Sequence, residues 1–118
     1  MANATYKILG QGVPTTSTST TLYTVGATSA YSGAVVSSVH ICNTTATSAL
    51  AYLYVVKGAG SAATTNAVLY GAVVPPNSTV TYTNGITLSN TAGTADFIVG
   101  GSGTSSALTF TVSGTEII

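Results

Sequence analysis

Apolar side chains in this chain recur with a period of two almost throughout, and no stretch carries the 3.6-residue stripe of an amphipathic helix. Such alternation builds strands that turn one face toward a core, and Gly, Pro, Asn, Ser or Thr cuts each run short. Residues 35–43 form the clearest strand, with Val35, Ser37, Val39 and Ile41 predicted on one face and Val36, Ser38, His40 and Cys42 on the other. Residues 49–57 are apolar on both faces, as an interior strand requires. Further strands are predicted over residues 5–9, 21–25, 66–74, 78–83, 86–88, 96–100 and 107–113, the last followed by a tail. Pro75-Pro76-Asn77 ends one strand, because proline has no amide hydrogen to give a ladder. Asn84-Gly85 predicts a hairpin turn, since both residues accept positive φ. Gly101-Ser102-Gly103 reads as a loose connection, and residues 15–20 as a loop or exposed edge. The pattern predicts an all-β, single-domain antiparallel β-sandwich of jelly-roll type over residues 1–118, with residues 1–14 as an extended arm.

Length and charge narrow the functional classes. The 118 residues allow one domain with a real core. Lys7, Lys57, Asp96 and Glu116 are the only formal charges, 3% of the chain against roughly 25% in an ordinary domain. Two cations cannot neutralise a nucleic-acid backbone. No apolar run approaches the roughly 20 residues of a spanning helix. The N-terminus lacks the pattern of a secretory signal, so a soluble, intracellularly made protein is expected. Ser and Thr supply about a third of the residues. A surface of hydroxyls and small apolar groups, with a net charge of zero, favours association and suits a subunit of a permanent assembly.

The inventory for catalysis is thin. His40 and Cys42 share a strand face, but a metal site needs two further ligands, and Asp96 and Glu116 are the only strong candidates. A Ser-His-Asp arrangement has no nucleophile elbow to support it, and a carboxylate pair would need Asp96 and Glu116 to converge. The run from Gly58 to Ala63 matches a dinucleotide-binding fingerprint only loosely, with no helix or acid to follow it. Three Asn-x-Ser/Thr triplets, at Asn3, Asn43 and Asn77, are expected by chance in so hydroxyl-rich a chain. Threonine rows (Thr16, Thr18, Thr20 and Thr79, Thr81, Thr83) could order water only if repeated on neighbouring strands, and no fixed repeat is visible. Seven tyrosines could serve a carbohydrate platform, a partner interface or the core rim. No catalytic residue, metal or cofactor is expected.

Four stretches carry a resemblance: ATYKILGQ (residues 4–11), VVSSVHICNTT (35–45), VPPNSTVTYTNGITL (74–88) and LTFTVSGTEI (108–117). Together they resemble small all-β virion structural proteins of tailed bacteriophages, cyanophage-like ones among them. The resemblance implies a non-enzymatic capsid decoration (cement) protein, or a head-tail accessory subunit, that bridges and stabilises major capsid subunits on the virion surface. It also implies a homo-oligomer, with a trimer favoured. Nucleic acid and membrane are not expected partners. Residues at the two chain ends are the expected assembly contacts: Tyr6, Ile8 and Leu9 near the start, and Glu116, Ile117 and Ile118 at the end. A tail, fibre or adhesin-like subunit and a carbohydrate-binding module are the alternatives.

Overall fold

The computed structural model describes residues 4–18, 20–26, 31–91 and 94–117. Ten strands and one short 3-10 turn follow one another. They are β1 (Ala4–Gly12), β2 (Thr20–Thr24), β3 (Tyr31–Asn43), β4 (Ala49–Val56), the 3-10 turn (Thr64–Asn66), β5 (Ala67–Val74), β6 (Thr79–Tyr82), β7 (Ile86–Thr91), β8 (Thr94–Ala95), β9 (Phe97–Ser102) and β10 (Leu108–Ile117). One sheet has the order β1-β10-β3-β7-β8 with β6 also on β3, and the other has the order β2-β9-β4-β5. All the pairings are antiparallel. The expected β-sandwich is therefore the observed one, and β4 is interior in its sheet, as its two apolar faces predict.

The core is where the two inner faces meet. Val36, Val39 and Ile41 of β3, Leu108, Phe110 and Val112 of β10, and Ile86 and Leu88 of β7 face Leu22, Ala51, Leu53, Val74 and Ile98 of the other sheet. Most of these side chains are fully withdrawn from water. Burying a large aliphatic or aromatic side chain contributes roughly 1.5–3 kcal/mol, so this layer dominates the stability.

Four expectations are corrected. A β-bulge in the β3–β10 ladder falls between Ser113 and Gly114, which skips Ser37 and reverses the phase of β3. Val36 thus joins Val39 and Ile41 inside, while Val35 turns outward and is exposed. The residues after Ser113 are not a free tail, since β10 continues to Ile117. Asn84-Gly85 is not a hairpin: β6 pairs with residues 39–42 of β3 and β7 with residues 31–36, so the two strands run on along one partner. A type I′ hairpin needs positive φ at both residues, and of the two only Gly85 has it, at 73°. Finally, Gly101 and Ser102 are buried strand residues. The chain near Ser17 crosses directly over Gly101, where any Cβ would collide with the Ser17 carbonyl, and Thr16 O accepts a hydrogen bond from Ser102 N at 2.9 Å.

Asn43 is fully buried and organises the end of the sandwich. Its Nδ2 donates to Thr47 O at 2.8 Å and to Val74 O at 3.0 Å, and its Oδ1 accepts from Thr45 N and Thr45 Oγ1. One carboxamide thereby shapes the β3–β4 connection and ties it to the end of β5. Its burial also takes the Asn43 triplet out of reach of any glycosylating enzyme. Asn43→Ala is expected to leave buried carbonyls unpaired and to cost about 2–3 kcal/mol, read as a lower urea midpoint with an unchanged far-ultraviolet spectrum.

Candidate functional site

Among the described residues strand β1 is the outermost strand of its sheet and pairs only with β10. Along β10 the side chains of Leu108, Phe110 and Val112 point inward, and those of Thr109, Thr111, Ser113, Thr115 and Ile117 point outward. Tyr6 lies opposite Thr115, Ile8 opposite Ser113 and Ala4 opposite Ile117, so all three take the outer face. Val35 flanks Thr115 from the other side. Tyr6 is 84% exposed and Ile8 59%, and Val35 and Ile117 are exposed as well. The result is an apolar patch of Tyr6, Ile8, Val35 and Ile117 around one threonine.

Lys7 and Glu116 take the other face and turn toward the sheet opposite. Lys7 Nζ donates to Glu116 Oε1 at 3.0 Å, and Tyr23 OH donates to Glu116 Oε2 at 2.5 Å. Because Tyr23 belongs to β2, this carboxylate clasps the two sheets together at one end of the sandwich. Those two hydrogen bonds hold the Glu116 carboxyl below its ordinary value of 4.5, with the Tyr23 bond the larger cause. Burial and the same carboxylate push the Tyr23 phenol well above its ordinary 10.0, so it remains a donor.

Of the six expected contact residues, Tyr6, Ile8 and Ile117 come together on the outer face. Leu9 falls at a bulge between Ile8 and Gly10, is half-buried and packs on the core. Glu116 is engaged within its own chain, and Ile118 lies outside the described residues. Val35 is an addition that alternation hid, because the bulge at Ser37 reverses its face.

A second apolar patch lies on the outer face of the other sheet. Leu50 lies opposite Val73, and Tyr52 opposite Tyr70. Tyr70 is 63% exposed, Val73 60% and Leu50 40%. The Tyr52 and Tyr70 rings meet edge to face with centroids 5.1 Å apart. Farther along this face, Tyr54, Val56 and Val99 are buried, with Ala62 of the β4–β5 connection packed against them. The exposed patch is the stretch which that connection leaves uncovered. The apolar outer face of β4 was its signal in the sequence, but burial by a neighbouring strand or loop explains such a face equally well.

The groups considered for chemistry are dispersed. His40 and Cys42 sit on the outer face of β3 between Thr81 and Thr79 of β6 and Thr111 and Thr109 of β10. Asp96 accepts hydrogen bonds from Gly58 N at 2.9 Å and from Ser89 N and Oγ. It thereby ties the β4–β5 connection to strand β7 rather than facing Glu116 as a pair. Among the described residues no three of His, Cys, Asp and Glu gather as a metal site would need. Comparison with protein-family models, curated proteins and solved structures finds no match.

The clasp gives a pH signature. A carboxyl held low when folded adds stability that is complete above its unfolded value and lost as pH falls through the folded one. Wild-type protein is therefore expected to weaken below about pH 4.5, and Glu116→Gln to show a flatter acid limb from a lower neutral plateau. Tyr23→Phe removes a hydrogen bond to a charged group and is expected to cost about 1.5–3 kcal/mol at neutral pH. Urea midpoints measured across acid and neutral buffers check both.

Proposed function

We propose that this chain is a non-enzymatic structural subunit of a bacteriophage virion, a capsid decoration protein that bridges and stabilises neighbouring major capsid subunits. The observation that carries this reading is the pair of exposed apolar patches on opposite outer faces of one sandwich: Tyr6, Ile8, Val35 and Ile117 on one, Leu50, Tyr70 and Val73 beside the half-buried Tyr52 on the other. Contiguous exposed apolar residues mark contact surfaces, and two such faces let one subunit hold two neighbours. Weak contacts made many times over a lattice add through effective concentration. The surface has almost no charge with which to steer or repel, so adhesion rests on apolar burial and hydroxyl hydrogen bonds.

The strand order supports reading the sandwich as a jelly roll. β1, β2, β3 and β4 alternate between the sheets, β5 stays beside β4, and β6 with β7 return to β3, followed by β9 and β10 in opposite sheets. Viral capsid domains and lectins both use that architecture. A homotrimer on the virion surface, assembled after synthesis in the host cytoplasm, completes the proposal. The second reading with an observation behind it is a carbohydrate-binding module, in which Tyr70, braced edge-on by Tyr52, would stack on a sugar ring.

Virions whose genome encodes the chain are expected to contain it at high copy, as density over capsid subunit junctions by cryo-electron microscopy. The double variant Leu50→Ser, Val73→Ser is expected to keep its fold while binding particles about tenfold more weakly. Particles that lack the protein, together with glycan binding abolished by Tyr70→Ala, would establish the carbohydrate reading instead.

A further inference from the structure

We infer that Asn84 is a site of spontaneous deamidation in the folded protein. The reaction needs an asparagine whose carboxamide is free, a following residue that does not shield its own nitrogen, and a backbone able to bring the two together. The segment joining β6 to β7 supplies all three. Residues 83–85 lie between the β6 and β7 ladders and are exposed. Gly85 has no side chain, and the space around it is so open that an added Cβ would meet nothing within 4 Å. Neither ladder includes these residues, so sheet pairing does not lock their main chain.

The other described asparagines are held. Asn43 is buried and fully hydrogen-bonded. Asn66 uses both ends of its carboxamide, accepting from Ala63 N and donating to Ser61 O. Asn90 is buried and donates to Gly26 O. Asn77 is exposed, but its main chain is left-handed at φ 54°, and the next residue, Ser78, has its Oγ tied to Pro76 O. Asn84 is the one exposed asparagine followed by glycine, and no hydrogen bond of this kind restrains it.

In the reaction the Gly85 main-chain nitrogen gives up its proton to solvent base and attacks Cγ of Asn84. A new N–Cγ bond closes a five-membered succinimide, the Cγ–Nδ2 bond breaks, and the nitrogen leaves as ammonia. Water then opens the ring at either carbonyl to give aspartate or isoaspartate, with no change of oxidation state. The product carries a third carboxylate, so the formal net charge moves from zero to minus one. The isoaspartate form adds one main-chain atom to a linker that lies outside both ladders. Tyr82 opposite Val39 and Ile86 opposite Val36 keep the two ladders in register on either side. The fold therefore persists, and the charge records time elapsed since synthesis. This inference is independent of the virion proposal.

Incubation of the folded protein at neutral and mildly alkaline pH, followed by isoelectric focusing and peptide mapping, tests it. The expected result is an acidic species that grows faster at higher pH and maps to Asn84 rather than Asn77. Its rate should be of the same order as in the urea-unfolded chain, and it should be absent from Asn84→Gln. A folded chain that stays unmodified at Asn84 while the unfolded chain reacts there would overturn the inference. So would an acidic species that persists in Asn84→Gln.

Discussion

The contact between the inner faces of β3 and β10 and those of β4 and β9 is the interaction from which the rest of this molecule follows. With four formal charges in 118 residues, no ionic network is available to share the task of holding the sheets together. Burial must do it, and the fully enclosed side chains of Val39, Ile41, Leu53, Ile98, Phe110 and Val112 show where. The polar devices are few and placed at margins. Asn43 shapes one connection, Asp96 ties another to β7, and Glu116, paired with Lys7 of its own sheet, joins the two sheets at an end through Tyr23. Among the described residues every buried side-chain nitrogen or oxygen has a hydrogen-bond partner, so sparse polarity is combined with complete satisfaction.

The same scarcity shapes the outer surface. An ordinary domain keeps its neighbours away with charge, whereas this one presents threonine, serine and exposed apolar side chains. On one outer face the alternation of β10 sets Thr109, Thr111, Ser113 and Thr115 in a row, bordered by Tyr6, Ile8 and Val35. On the other, part of an apolar face is covered by the β4–β5 connection and part is left open around Tyr70 and Val73. Two open apolar faces on one sandwich are the physical basis of the proposed bridging role, and the clasp keeps the strand that bears Tyr6 and Ile8 in register with β10.

Much of the architecture was legible in the sequence because a half-buried strand writes its orientation as alternation. Residues 49–57 announced an interior strand by being apolar on both faces, and β4 is interior. What stayed hidden were the places where the ladder breaks period. The bulge at Ser37 reversed the faces of Val35 and Val36, and Leu9 at its own bulge turned toward the core. Asn84-Gly85 has the residues of a hairpin, yet β3 is long enough to pair with the strands on both sides of it, and tertiary pairing overrode the local turn preference. In the site, Tyr6, Ile8 and Ile117 were readable as apolar residues near chain ends. Glu116 was not readable as a clasp, because Tyr23 is remote in sequence and reaches it only across the sandwich. The patch at Leu50 and Tyr70 needed knowledge of which part of the β4 outer face the β4–β5 connection covers.

The central claim is that this fold is held by apolar burial with charge as a marginal contributor. Equilibrium urea unfolding at neutral pH, compared in dilute buffer and in ~1 M NaCl, where the Debye length is only ~3 Å, addresses it most directly. Among the described residues screening should remove one partly exposed ion pair, Lys7 with Glu116, while salt strengthens apolar burial. The account predicts a midpoint that holds or rises in salt. A midpoint that falls markedly would contradict it.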